Sequence, residues 1–213
     1  MSRVEKLQQL LSTAGLWRPR TVAPASVQPG WCCSQLSGRL VEISGRGAVA
    51  PLSAAVWLLF DAQRRGDPVA WVTLPDSVFY PPDVAASGID LEALVVVRVP
   101  RVLDVARAAA RLLRSGAFGV VVLDLLGARP AISEAAQGRL TGLAQRYDAV
   151  VLCLTEKAEG TPSLGSMVSL RTEVQRLAGE YDRFPCQLRV LKDKRRGPTW
   201  SQQEVVDGPP GLR

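Results

Sequence analysis

The segment Val41-Glu42-Ile43-Ser44-Gly45-Arg46-Gly47-Ala48-Val49-Ala50-Pro51-Leu52 has the setting of a phosphate-binding loop but lacks the residues that hold phosphate. A P-loop reads G-x-x-x-x-G-K-[ST] between a strand and a helix. Its backbone N–H groups cradle the phosphates, its lysine reaches the outer phosphates, and its hydroxyl ligates Mg²⁺. Here an apolar strand from Leu40 to Ile43 ends at Gly45, and a helical run starts near Pro51. Ala50 stands at the second glycine position, Pro51 at the lysine and Leu52 at the Ser/Thr. Proline removes both the ammonium and one N–H donor, and Leu52 cannot ligate a metal. Losing a buried charged contact, a donor and a metal ligand together should lower nucleotide affinity by many orders of magnitude. A second candidate is Asp124, which ends the apolar run Gly119 to Leu123. In phosphoryl-transfer enzymes an acid at such a strand end orients water on Mg²⁺. An Asp there also commonly caps the next turn. The expectation is a degenerate nucleotide site made of Gly45, Ala50, Pro51, Leu52 and Asp124, with no catalytic residue, no metal and no cofactor.

Composition narrows the chemistry further. The chain has 213 residues, long enough for one α/β domain with short extensions. It contains no His, which removes the commonest general base and metal ligand. Its four cysteines, Cys32, Cys33, Cys153 and Cys186, include no C-x-x-C pair that would start a zinc site. Reduced thiols in a cytoplasmic protein are expected. The amphipathic N-terminus does not read as a secretory signal, and the longest apolar runs fall far short of the roughly 20 residues that span a membrane. A net charge of +6 permits nucleic acid or an acidic protein as partner and specifies neither.

These candidate residues need elements to position them. Val4 to Leu16 carries apolar residues at helical spacing, with Leu7, Leu10 and Leu11 on the stripe and Gly15 as a stop. That helix either packs on its own core or docks on a neighbour as an amphipathic helix in a groove. Trp17 to Gly38 reads as an arm, and its Trp31 must be buried or used on a partner. Thereafter strands near 40–43, 69–73, 94–97, 119–124 and 149–154 alternate with helical segments near 52–65, 82–86, 102–114 and 133–147. Continuously apolar strands alternating with amphipathic helices predict an α/β fold with a mostly parallel sheet covered on both faces. Ser166 to Gln175 and Cys186 to Leu191 alternate polar with apolar residues, as antiparallel edge strands do. The expected organisation is an N-terminal helix and flexible arm over 1–38, a core over 39–198, and a disordered tail over 199–213.

Residues 39–198 resemble the RecA ATPase core. Val41 to Gly45 is similar to the start of that family's P-loop strand, and Ala62 to Val72 to its next helix and strand. Gly88 to Leu94 is similar to the G-V-D-x-x-x-L turn. Leu113 to Asp124 is similar to the helix and strand that end in the Walker B acid. Gln187 to Lys194 resembles the strand bearing a K-N-K segment near the subunit interface of RecA filaments. The chain departs where the family keeps its catalytic Glu, reading Thr73-Leu74-Pro75-Asp76, and where it keeps Asn-Gln, reading Thr155-Glu156. The loops after the fourth and fifth strands are short, and the resemblance does not extend to the family's C-terminal domain. Trp71-Val72-Thr73 followed by Phe79 to Ala85 resembles the W-V-x … Y-P-P-x-L-A segment of the ImuA family, RecA-like proteins of bacterial damage-inducible mutagenesis cassettes. This resemblance implies a non-catalytic accessory role in SOS-induced translesion synthesis. The implied partners are RecA, an ImuB-type polymerase adaptor and an error-prone polymerase, with single- or double-stranded DNA as a further candidate and no membrane. The alternatives are a weak nucleotide-dependent DNA-binding ATPase using Asp124, and a SulA-like inhibitor of cell division.

Two basic features stand beside that resemblance. Lys192, Lys194, Arg195 and Arg196 lie just before Trp200. A solvated turn has this composition, and so does a single-strand surface with Trp200 stacked on a base. Arg107, Arg111 and Arg114 share one helix face with Arg101 just ahead, as an exposed solubilising face does.

Overall fold

The computed structural model describes residues 30–45, 49–77, 79–129, 131–157, 160–177, 183–197 and 200–207. The N-terminal helix expected over 4–16, with Leu7, Leu10 and Leu11, lies outside the described residues. Eight strands form one sheet in the order β3-β2-β4-β5-β1-β6-β7-β8. They are β1 (Arg39–Gly45), β2 (Val69–Thr73), β3 (Leu94–Arg98), β4 (Val120–Asp124), β5 (Val150–Glu156), β6 (Leu170–Arg176), β7 (Arg183–Asp193) and β8 (Ser201–Asp207). From β3 through β6 every pairing is parallel, and β6–β7 and β7–β8 are antiparallel. The α/β class with a mostly parallel sheet and antiparallel C-terminal strands is what the alternation of apolar strands and helices requires.

The helices are α1 (Cys33–Leu36), α2 (Val49–Arg64), α3 (Pro81–Ala86), α4 (Val102–Arg114) and α5 (Glu134–Arg146), with a 3-10 turn at Leu91–Ala93. Helix α2 covers one face of the sheet, while α4 and α5 lie side by side on the other. Each face has its own core. Val41, Ile43, Trp71, Leu152 and Leu154 point toward α2. Leu40, Val72, Leu123, Val151 and Cys153 point toward α4 and α5. Strand alternation therefore sorts nearly every side chain of β1, β2, β4 and β5 into one of two buried layers, so their sequences carry no exposed period. Helix α2 starts two residues before Pro51, which places that proline in the first turn, where a missing N–H costs no helix hydrogen bond.

Three boundary expectations are corrected. The arm does not end at residue 38: Trp31, Cys33 and Leu36 are buried in the α2-side core. The Trp31 indole donates to the Ala54 carbonyl at 2.9 Å, and the Cys33 amide donates to Asp61 at 2.7 Å. The segment expected over 166–175 starts as a strand only at Leu170, and it is interior, parallel to β1 on one side and antiparallel to β7 on the other. Its polar residues Arg171, Thr172 and Glu173 are buried between its neighbours, so the alternation does not mark an edge. The tail expected to be disordered from residue 199 contains β8, which pairs with β7 from Ser201 to Asp207 and forms the sheet edge. Its polar residues stand on a half-solvated strand, a pattern that composition alone does not separate from a loose tail.

Candidate functional site

The candidate nucleotide site lies where β1 gives way to α2, and the described residues Gly45 and Ala50 to Leu52 bound it. A Cβ built on Gly45 would lie 2.9 Å from Pro51 Cγ and 3.1 Å from the Val174 carbonyl oxygen. Glycine is needed at this position because the Pro51 ring and β6 approach its backbone closely. In a working cradle that approach would belong to a phosphate. Ala50 and Pro51 are buried, and half-buried Leu52 packs against the α2-side core. The positions of the ammonium and the metal-ligating hydroxyl are thus occupied by apolar groups turned to the protein interior. These residues do not fit a nucleoside triphosphate with Mg²⁺.

Asp124 is equally committed to its own fold. The register of β2 against β4 pairs Trp71 with Val122 and sets Thr73 beside the end of β4. Asp124 Oδ2 accepts hydrogen bonds from Trp71 Nε1 at 3.2 Å, Thr73 Oγ1 at 3.0 Å and Ser77 Oγ at 2.6 Å. Its Oδ1 accepts from the Leu126 amide at 3.2 Å, which is the turn cap that its position also suggested. The residue is 2% exposed. Four donors engage this carboxylate, three on Oδ2 and one on Oδ1. Asp76, the nearest substitute for a catalytic Glu, is exposed in the loop after β2.

A polar centre that sequence reasoning did not assign stands at the carboxyl ends of β1 and β5. Glu42 is fully buried and forms an ion pair with Lys157 at 2.7 Å. It also accepts from Thr155 Oγ1 at 2.9 Å and from the Leu164 amide at 2.8 Å. The segment after β5 is held further by Lys157 Nζ on the Pro162 carbonyl at 3.2 Å and by Gln137 on the Leu164 carbonyl at 3.1 Å. Buried Arg171 donates to the Thr161 carbonyl and to Ser44 Oγ. A lone Glu between Val41 and Ile43 in a buried strand was the available signal, because a buried charge requires a partner. Burial, reinforced by Glu42, raises the Cys153 thiol well above the usual range. Burial with Asp61 does the same for Cys33, so both thiols are held in the unreactive form.

The basic cluster sits at the β7–β8 turn, which brings Lys192, Lys194, Arg195, Arg196 and Trp200 together. Much of it is used internally. Lys194 Nζ donates to the Ser166 carbonyl at 2.6 Å, and Arg196 donates to Gln35 Oε1. The Trp200 reading needs correction. A Cβ on Gly30 would fall 2.5 Å from the Trp200 ring, so that ring lies on the Gly30 backbone. The Trp200 indole donates to Asp193 at 3.2 Å. Trp200 is therefore half-buried against its own chain and is not offered to a base. Asp193 ties this region to β1 through a buried ion pair with Arg39 at 2.6 Å.

This anchor carries a pH signature. Burial opposes the Asp193 charge, but hydrogen bonds from the Arg195 amide, Arg39 and Trp200 outweigh it and hold the carboxyl below the usual carboxylate range. A depressed folded-state pKa contributes stability above the unfolded value near pH 4, and that stability is lost as pH falls through the folded value. Asp193→Asn is expected to be less stable than the parent at pH 7, and the gap should narrow as pH falls below about 4. Urea unfolding at a series of pH values measures this, and a gap independent of pH would contradict it.

Among the described residues, no group of three or more His, Cys, Asp or Glu could hold a metal ion, and no helix is long and apolar enough to cross a membrane. No protein-family model matches the chain. Protein RecA of Clostridium acetobutylicum is 32% identical over 91 residues, which cover 43% of this chain and 26% of that protein. The chain thus spans about a quarter of the length of the curated relative that it matches. It is similar to RecA over part of its sequence, and its α/β architecture is consistent with a RecA-like core.

Proposed function

We propose that the chain is a non-catalytic, RecA-like accessory protein of damage-induced translesion synthesis. It binds RecA and modulates its filament, and it joins an ImuB-type adaptor and an error-prone polymerase. The observation that carries this reading is the Pro51 ring seated on Gly45, where a phosphate cradle would be open. The parallel sheet that would support an ATP site is retained while the site itself is closed. A protein in that state acts through its surfaces.

The segment after β5 supports the same reading. A loop that reports nucleotide or DNA must have a second arrangement available. Here Glu42, Gln137 and Arg171 all pin this segment to the core. The chain can present a RecA-like face to a RecA protomer without completing an ATP site or a moving loop. Added to a filament end, it would cap the filament or weaken the next contact. The test is RecA on single-stranded DNA with stoichiometric full-length chain. Co-sedimentation with the filament and an altered strand-exchange rate are expected. Absence of both would refute the reading.

A further inference from the structure

The outward surface of α4 and α5 carries a group of arginines with little acidic compensation. Helix α4 turns Arg107, Arg111 and Arg114 to solvent on one face. Helix α5 exposes Arg139 and Arg146, two turns apart. The C-terminal ends of the two helices meet. A Cβ on Gly116, just past α4, would lie 3.0 Å from the Tyr147 ring that ends α5. The Arg146 guanidinium stands 5.4 Å from the centre of that same ring.

Of the acids nearby, Asp104 is already paired with arginine. Asp104 is shared by Arg101 at 2.7 Å and Arg107 at 3.2 Å. Glu134 accepts from Ser166, and Asp148 from Ser37. Arg111, Arg114 and Arg139 have no acidic partner among the described residues. Gly138 and Gly142 lie on α5 with nothing within 4 Å of a built Cβ. Each is a poor helix former relative to Ala, and together they leave its backbone bare beside the arginines. Every cation on this face is a guanidinium, whose planar fork matches phosphate oxygens. No exposed aromatic ring stands on either helix to stack a base.

We propose that the α4–α5 face binds the phosphodiester backbone of duplex DNA without reading its sequence. Cations fixed on two packed helices suit a rigid, evenly charged rod. The lack of a stacking ring disfavours a single strand. This surface lies on the opposite side of the sheet from α2, and the proposal does not depend on RecA binding.

The test is fluorescence anisotropy of a labelled, mixed-sequence DNA duplex of about 20 base pairs, titrated with the full chain at several salt concentrations. Binding should weaken steeply with salt. Arg111→Gln/Arg114→Gln should lower affinity roughly tenfold at low salt and reduce the log–log salt slope by about 1.8, two phosphate contacts' worth. Arg64→Gln/Arg65→Gln removes the same charge from the C-terminal end of α2 and the turn after it, and should stay within about twofold of the parent. The proposal is overturned if the parent shows no salt-dependent binding or if both double variants lose affinity equally. It is also overturned if the single strand binds more tightly than the duplex. Displacement of the duplex by polyglutamate as readily as by unlabelled duplex would make this a surface for acidic proteins instead.

Discussion

Asp124→Ala is expected to lower the unfolding free energy by about 4 kcal/mol, because it strands buried donors rather than removing a catalytic acid. Trp71 Nε1, Thr73 Oγ1 and Ser77 Oγ all donate to one carboxylate oxygen. Each buried donor left without an acceptor costs about 1–3 kcal/mol, and bonds to a charged acceptor lie at the upper end. The sum is tempered by Ser77, which is only half-buried and can turn to water. For a chain of this size the loss corresponds to a fall in Tm of roughly 8–16 °C. Asp124→Asn keeps one acceptor oxygen and should lose about half as much. Differential scanning calorimetry of the two variants checks this. Parent-like melting of Asp124→Asn would return Asp124 to a functional role.

Glu42→Ala should be comparably severe, at about 3–5 kcal/mol, because Lys157 is left as a buried cation without its partner. The Lys157 side chain is 10% exposed, so water cannot replace the lost carboxylate without opening the segment after β5. The Leu164 amide and the Thr155 hydroxyl lose their acceptor in the same step. The second variant, Glu42→Gln/Lys157→Met, removes both charges and keeps one acceptor oxygen for the Leu164 amide, while Thr155 Oγ1 retains the Ile43 carbonyl as an acceptor. It should recover more than half of the loss, since replacing both partners of a buried pair is often close to neutral. Urea unfolding of the single and double variants gives the coupling energy. Limited proteolysis should show the 157–169 segment cut faster in Glu42→Ala alone. Equal losses in the single and double variants would contradict the ion-pair account.

These two centres show where the sequence was legible and where it was not. The parallel core was legible because β2, β4 and β5 are largely apolar runs separated by helical segments, and two-sided burial leaves that pattern. The closed cradle was legible in part. Ala50, Pro51 and Leu52 argued against phosphate chemistry by residue type, while the approach of the Pro51 ring to Gly45 depends on the fold. Asp124 stood out as a strand-ending acid, yet its role depends on the β2–β4 register, which sets Trp71 and Thr73 beside it. Glu42 was hidden for a similar reason: its partners Thr155 and Leu164 are 113 and 122 residues away in the chain. Trp200 beside a run of basic residues suggested a stacking surface, whereas Gly30 and Asp193 claim both its ring and its indole N–H. Ser201 to Asp207 was too polar to read as a strand, since among the described residues only β7 pairs with it.

The central claim is that a RecA-like scaffold has been kept while its nucleotide site is closed by its own side chains. Calorimetric titration of MgATP into the full chain tests it most directly. The account predicts no saturable heat up to about 1 mM nucleotide, with or without Mg²⁺. A saturable isotherm with a Kd at or below about 100 μM, lost when Mg²⁺ is removed or Asp124 is replaced by Asn, would contradict it.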